Sequence, residues 1–336
     1  MDLTAPVCYA LERLRLELFS VGSIFSLWSL ASGFCIAFLA LALRHRRRRG
    51  RFGARALLRA IVSRRLVACR STLADAELFL ISVVVMPPIV GALVVSSNAV
   101  ATGVRGGLTT TFGAVAPIAC CALYIKAIAT LALFLAYEIG YWVDHWLKHR
   151  VPALWAFHKL HHTADALTPL VNFRNHPIDN IVFGWMLALF IGSAYGVLGW
   201  AFARDVESFT IGGRNLLFIV FLWTIGHLQH SQFWIPICGP LGRIILSPAH
   251  HQIHHSRDPA HFNRNFGSVL ALWDWMAGTL AMPSRENPRL AYGVDEPGVD
   301  QHSLWGTLVA PVIEAGAAIA RALRGPGRRA PAGPQE

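Results

Sequence analysis

The chain has 336 residues, of which 54% are hydrophobic and only 15% charged, with a mean hydropathy of +0.45. Soluble domains average about 25% charged residues, so the composition describes a membrane-embedded protein and excludes an ordinary soluble enzyme. The formal net charge of +11 would suit nucleic acid, but the excess sits in Arg44-His-Arg-Arg-Arg-Arg-Gly-Arg51 and the arginines after it, directly behind an apolar run. That is the positive-inside pattern, with attraction to anionic head groups as a secondary effect.

Residues 1–19 mix acids, arginines and apolar side chains and are expected to form an interfacial segment. No small-residue cleavage site follows, so a cleaved signal is not expected. Ser20 to Leu43 is free of charge over twenty-four residues, more than the roughly 20 needed to cross a bilayer, and reads as a transmembrane helix. The arginine-rich loop 44–70 fixes its carboxyl end on the cytoplasmic side. A second apolar run, Leu78 to Val104, contains Pro87-Pro88, and a kinked or broken helix is expected there. These two helices and their loop make a first unit over 20–112.

The following unit spans 113–283. Thr111 to Trp142 is apolar apart from Lys126 and Glu138, too long for one simple crossing. Asn180–Ala203 and Asn215–Ile237 are two further apolar runs, read as a helical hairpin returning to the side it left. Residues 284–336 complete the chain. An apolar stretch over 303–323 with Glu314 inside it suggests an interfacial helix, and the Arg/Pro/Gly-rich tail is expected to be disordered. The six cysteines, Cys8, Cys35, Cys69, Cys120, Cys121 and Cys238, include no CxxC pair and suit small apolar filling rather than disulfides or zinc.

Thirteen of the fifteen histidines fall between His145 and His261. His145 and His149 are spaced i, i+4 on one helical face. His158, His161 and His162 form an HxxHH box, and His251, His254 and His255 form a second. These eight imidazoles exceed what one ion can use and argue for a dinuclear site. Imidazole alone does not choose among zinc, copper, iron and nickel. Beside a lipid-facing bundle the accessible substrates are alkyl chains, however, and breaking an unactivated C–H bond requires a redox metal and dioxygen, which zinc cannot serve. Iron is therefore expected.

An even number of crossings puts both clusters, with His227 and His230, on the cytoplasmic side. His230 is expected to join the ligands. His176 and His227 could be extra ligands or plain hydrogen-bonding residues, and His250 is an alternative to His251. Glu138, seven residues before His145, is expected to orient a ligand imidazole from behind it.

Around these boxes the sequence resembles the fatty acid hydroxylase / sterol desaturase superfamily of integral-membrane non-haem di-iron proteins. The resemblance covers about residues 130–280. It rests on Glu138, Tyr141 and Trp142, the HxxxH pair, both HxxHH boxes, Arg174-Asn-His-Pro177, His230-Ser231, Asn265-Phe-Gly267, Trp273-Asp274 and Gly278-Thr279. The chain departs from the family pattern at Trp146, where Arg is common, and at Glu138, where Asp is more frequent. Membrane acyl desaturases carry the boxes too, but with the first two farther apart than here, where only residues 150–157 separate them.

The resemblance implies an all-α, polytopic membrane bundle under a cytosolic cap holding two irons on the eight box histidines and His230. It implies dioxygen as co-substrate and a lipid as substrate, hydroxylated or, in the alternative, desaturated. Without a nucleotide, flavin or haem motif of its own, the chain would draw electrons from a separate ferredoxin or cytochrome. A non-redox membrane zinc-binding or transport protein is the reading from another class. It calls for histidines or acids in mid-span, where only Lys126 is found. An idle scaffold that retained the boxes is a further reading.

Overall fold

A computed structural model describes residues 4–47, 66, 68–118, 121–294 and 298–324. Most of the arginine-rich loop and the carboxyl-terminal tail lie outside the described residues. Among the described residues the protein is all-α apart from one two-stranded hairpin (β1, Thr210–Ile211; β2, Arg214–Asn215). Among the described residues, four helical stretches are long and apolar enough to cross a membrane, at 70–112, 122–150, 177–201 and 305–323. The chain is an integral membrane protein.

Helix α1 (Thr4–Phe19) folds back on α2 (Leu27–Arg47) through a turn at 20–26. The expected span from Ser20 is therefore corrected: its helix begins seven residues later, at Leu27. The cause is local. Glu17 accepts from the Ser23 hydroxyl at 2.6 Å and the Phe25 amide at 3.1 Å, and Ser26 caps the new helix by accepting from the Ser29 amide at 3.1 Å. Serine side chains thus offer the backbone a turn where hydropathy alone continues a helix. The apolar part of α2, Leu27–Leu43, is short for a crossing.

Helices α3 (Arg70–Leu80) and α4 (Met86–Leu93) are joined by a π-helical turn at Ile81–Val85, where the Met86 amide bonds to the Ile81 carbonyl five residues back. Pro87 has no amide to give the Val83 carbonyl, and Arg13 Nε of α1 donates to it instead at 3.3 Å. The disturbance expected at Pro87-Pro88 is thus a π turn just before the prolines. The full break comes later, at Val94, which is extended, with Ser96 capping α5 (Ser97–Phe112).

Helix α6 (Ala122–Arg150) carries the first histidines at its carboxyl end. Val151, held extended ahead of Pro152, turns the chain directly into α7 (Pro152–His162). Helix α8 (Pro177–Ala201) descends from the histidine level and packs along α5 and α6. Its α5-facing side needs glycine: a Cβ at Gly192 would meet the Ser97 carbonyl at 2.6 Å, and one at Gly196 the Ala101 carbonyl at 2.7 Å. Small residues let membrane helices approach this closely.

The return limb differs from the expected full hairpin. It is helical only over α9 (Leu216–Phe221), a π turn (Leu222–Gly226) and α10 (His227–Gln229), too short to cross by itself. After it come α11 (Pro248–His254), α12 (Leu272–Ala277) and, behind a π turn at Trp305–Val309, α13 (Ala310–Leu323). Helix α13 lies against α7, where Lys159 and Glu314 pair at 2.5 Å. It is among the stretches long and apolar enough to cross, where the sequence suggests an interfacial helix.

Candidate metal centre

The carboxyl end of α6, all of α7, the end of α10 and α11 converge on one volume. His145, His149, His158, His162 and His254 form one group there, and His161, His230, His251 and His255 another; in each, the candidate ligand atoms lie within 4.8 Å of one another. The groups abut, with the His162 and His255 rings stacked 4.6 Å apart. Adjacent members of a box divide between groups because neighbours on a helix point about 100° apart.

In the first group all five Nε2 atoms are buried without a hydrogen-bond partner. Three of these rings have their tautomer fixed from behind. His145 Nδ1 donates to the Phe266 carbonyl at 2.8 Å, His254 Nδ1 to the Arg264 carbonyl at 2.7 Å, and His158 Nδ1 to the Asp179 carboxylate at 3.4 Å. A proton on Nδ1 leaves Nε2 as a bare lone pair, the form that binds a metal.

In the second group the Nε2 atoms crowd one another. His230 Nε2 lies 3.1 Å from His161, 3.1 Å from His255 and 2.9 Å from His251, and His251 lies 3.1 Å from His255. One ring nitrogen has a single proton or a single lone pair, so hydrogen bonding cannot satisfy three such contacts at once. Neighbouring ligands around one ion at about 2.1 Å have this spacing. The donor sets therefore fit two metal ions, with every Nε2 directed inward.

Burial holds His161, His162, His230, His251, His254 and His255 neutral. His161, His162, His251 and His255 are pushed well below the ordinary range by loss of water and then by neighbouring histidines. Burial lowers His230 and His254 to about 3. With no metal bound, the unfolded chain takes up protons near pH 6.5 while the folded chain does not, so stability is present above that pH and lost as pH falls below it. Each such proton costs about 1.4 kcal/mol per pH unit. The melting temperature of chelator-treated protein is expected to fall steeply from pH 7.5 to 5.5; a flat profile would contradict neutral, buried rings.

Several expected roles are corrected. His176 is not in either group: its Nδ1 accepts from the Ile178 amide at 3.1 Å as the cap of α8, and Nε2 donates to the Leu308 carbonyl at 3.1 Å. With both nitrogens engaged it has nothing left for an ion. His227 points away and meets the Ser29 hydroxyl at 2.9 Å. His250 closes a capping box with Ser247. Glu138 touches no histidine. Its fully buried carboxylate accepts from the Val269 and Leu270 amides at 3.1 and 2.7 Å. Seven residues of helix rise about 10 Å, too far for it to reach the His145 ring.

Backbone carbonyls do the orienting expected of Glu138, and no side-chain pattern announces them. Asp274 organises their segment, accepting from the Phe266 and Gly267 amides, the Trp142 indole and the Thr279 hydroxyl. The buried trio Asp144–Lys148–Asp179, at 2.6 and 2.9 Å, holds Asp179 beneath His158. Asp179 could have been suspected only as an acid in the first turn of α8, with no spacing to tie it to α7. His302 sits between Arg174 and Asp165.

Two cavities reach the histidines. One of about 430 Å³ opens between the helices, lined by Met86, Val90, Phe183 and Phe218 at one end and by His145, His158, His161 and His230 at the other. The second, about 520 Å³, reaches His149, His162, His254 and His255 beside Trp155, Arg257 and Phe262.

Residues 130–279 match the family model described as fatty acid hydroxylase. Over this stretch the chain is similar to that family. All nine clustered histidines and all the supporting groups from Glu138 to Thr279 lie inside the stretch. Over 180 aligned residues the chain is 29% identical to alkylglycerol monooxygenase of Danio rerio, an alignment covering 51% of this chain and 34% of the relative. It is 33% identical to ornithine lipid hydroxylase OlsE of Rhizobium tropici, over 44% of this chain and 40% of that one. It is 28% identical to Delta(7)-sterol 5(6)-desaturase erg3B of Aspergillus fumigatus, over 44% and 37%. The matched stretch thus spans a third to two fifths of these relatives. No solved structure matches the chain.

Proposed function

We propose that the protein is a dioxygen-dependent di-iron oxidoreductase that hydroxylates a C–H bond of a membrane lipid. The observation that carries this reading is the pair of abutting histidine groups on the wall of a cavity that opens between membrane helices. One ion would be held by His145, His149, His158, His162 and His254, the other by His161, His230, His251 and His255. Iron is favoured because the apolar end of the cavity suits alkyl chains, whose C–H bonds zinc cannot oxidise. Two bound irons would supply the reduction of dioxygen and the removal of hydrogen from carbon.

The residues of the chain do the rest. Phe183, Phe218 and Val90 take up the chain and exclude water. His158 and His161 present the ions at the inner end, and the Phe266, Arg264 and Asp179 oxygens keep the rings from turning. The named relatives act on alkylglycerols, ornithine lipids and sterols, which supports a lipid without selecting one. The sterol desaturases among them make loss of two hydrogens the second reading. Electrons come from a separate ferredoxin or cytochrome, and the boxes face the cytoplasm, a side that the positive-inside placement of the arginine block supports.

The test is metal analysis of detergent-purified protein with Mössbauer spectroscopy on an iron-57 sample, followed by mass spectrometry of lipids from expressing cells. Two irons per chain as a coupled pair, with a lipid heavier by one oxygen, are expected. A lipid lighter by two hydrogens selects the desaturase. Stoichiometric zinc after growth in iron-rich medium, with no altered lipid, overturns the oxidative reading.

A further inference from the structure

A third cavity, of about 330 Å³, lies on the other side of the 226–231 segment from the catalytic cavity. Gly226, Gln229 and His230 face the catalytic one, whereas His227, Leu228 and Ser231 face this one. Its walls are mainly apolar, with Phe34, Leu170 and Phe233 among them. His227 Nδ1 and Thr168 Oγ1 are both buried and without a hydrogen-bond partner. The other hydroxyls on the wall are satisfied, Thr72 by the Leu66 carbonyl and Ser231 by the Leu228 carbonyl, each at 2.7 Å.

The hydrogen bonds around Ser29 suit a proton on His227 Nε2. Ser29 has one hydroxyl proton, which goes to the Ser26 carbonyl at 2.9 Å. Its oxygen also accepts from the Ser26 hydroxyl, and with its own proton so placed it accepts from His227 Nε2–H at 2.9 Å. The neutral ring then carries a bare lone pair on Nδ1. His227 is only 3% exposed, and a buried acceptor without a donor is costly. Thr168 offers the converse, a proton with no acceptor.

We propose that this cavity binds an uncharged lipid alcohol. Its O–H donates to His227 Nδ1, its oxygen accepts from Thr168 Oγ1–H, and its hydrocarbon lies against Phe34, Leu170 and Phe233. One hydroxyl satisfies both orphaned groups, and the apolar wall takes the remainder. A carboxylate brings no proton for Nδ1. A lone water would satisfy the two groups but leave the rest of the apolar cavity unfilled. The site is separate from the histidine groups and its occupancy does not depend on the reaction proposed above.

The test uses the full-length protein in detergent, with two photoreactive probes carrying a diazirine on a sixteen-carbon chain: the primary alcohol and its methyl ether, which accepts but cannot donate. Mass spectrometry of the cross-linked peptides is expected to find the alcohol near Phe34, Leu170 or Phe233, and the ether about tenfold less there. Both probes should label equally near Met86 and Phe218. Thr168→Val and His227→Leu should each reduce alcohol labelling at the third cavity by about tenfold. Equal labelling by the two probes there, labelling undiminished in Thr168→Val, or labels confined to the Met86–Phe218 region would each overturn the proposal. The probe comparison and Thr168→Val decide it even where His227→Leu fails to fold.

Discussion

His161→Ala is expected to abolish lipid oxidation and to lower bound iron from two ions per chain to one. The substitution removes one of four imidazoles from the second group, where His161 Nε2 stands 3.1 Å from His230 Nε2. The five-histidine group keeps all its donors. Iron per chain and product analysis on purified protein check both halves of the expectation, and the elution volume and helical circular dichroism should stay as in the parent. His254→Ala should abolish oxidation through the other group, which retains four imidazoles and with them some affinity for its ion. Full oxidation by either variant would sink the assignment of these rings as ligands.

Arg174→Met is expected to have the largest effect on stability. Arg174 and Asp75 are fully buried and paired at 2.7 Å. The guanidinium also donates to the Ser71, Leu160 and Gln301 carbonyls, to Thr163 Oγ1 and to His302 Nδ1. One side chain thereby ties α3 and residues 301–302 to the end of α7. Removing one partner of a buried ion pair strands the other charge and typically costs about 3–5 kcal/mol. A large fall in melting temperature in detergent is expected, with partial recovery in the Asp75→Leu/Arg174→Met double variant, where no charge is stranded. A single variant that melts with the parent would show that water reaches Asp75.

The histidine spacings made the centre legible before any coordinates. A separation of i, i+4 gathers His145 with His149, His158 with His162 and His251 with His255 into one group each, while the i+3 member of each HxxHH box, His161 or His254, reaches across to the other group. His230 was legible from its position at the end of an apolar run. The supports were not: Phe266 and Arg264 act through backbone carbonyls, which every residue has, and Asp179 meets His158 only through tertiary packing. Glu138 stands out in the sequence as an acid at depth, but its partners are backbone amides 131 and 132 residues away. Helix limits failed where polar side chains compete for the backbone, as at Ser23 and Ser26. The return limb failed because an apolar run does not say where helix gives way to turn.

The two histidine-bearing stretches, residues 145–162 and 251–255, are separated by about ninety residues of chain. An ion gripped by both is a cross-link as well as a reagent, closing a long loop that free chain closes only at an entropic cost. The segment between α8 and α9, with its exposed Gly212-Gly213 turn, then becomes dispensable for holding the halves together. Cut there, a loaded molecule remains one body; stripped of its ions, it has only lipid and side-chain packing to keep the two pieces from drifting apart in the plane of the membrane.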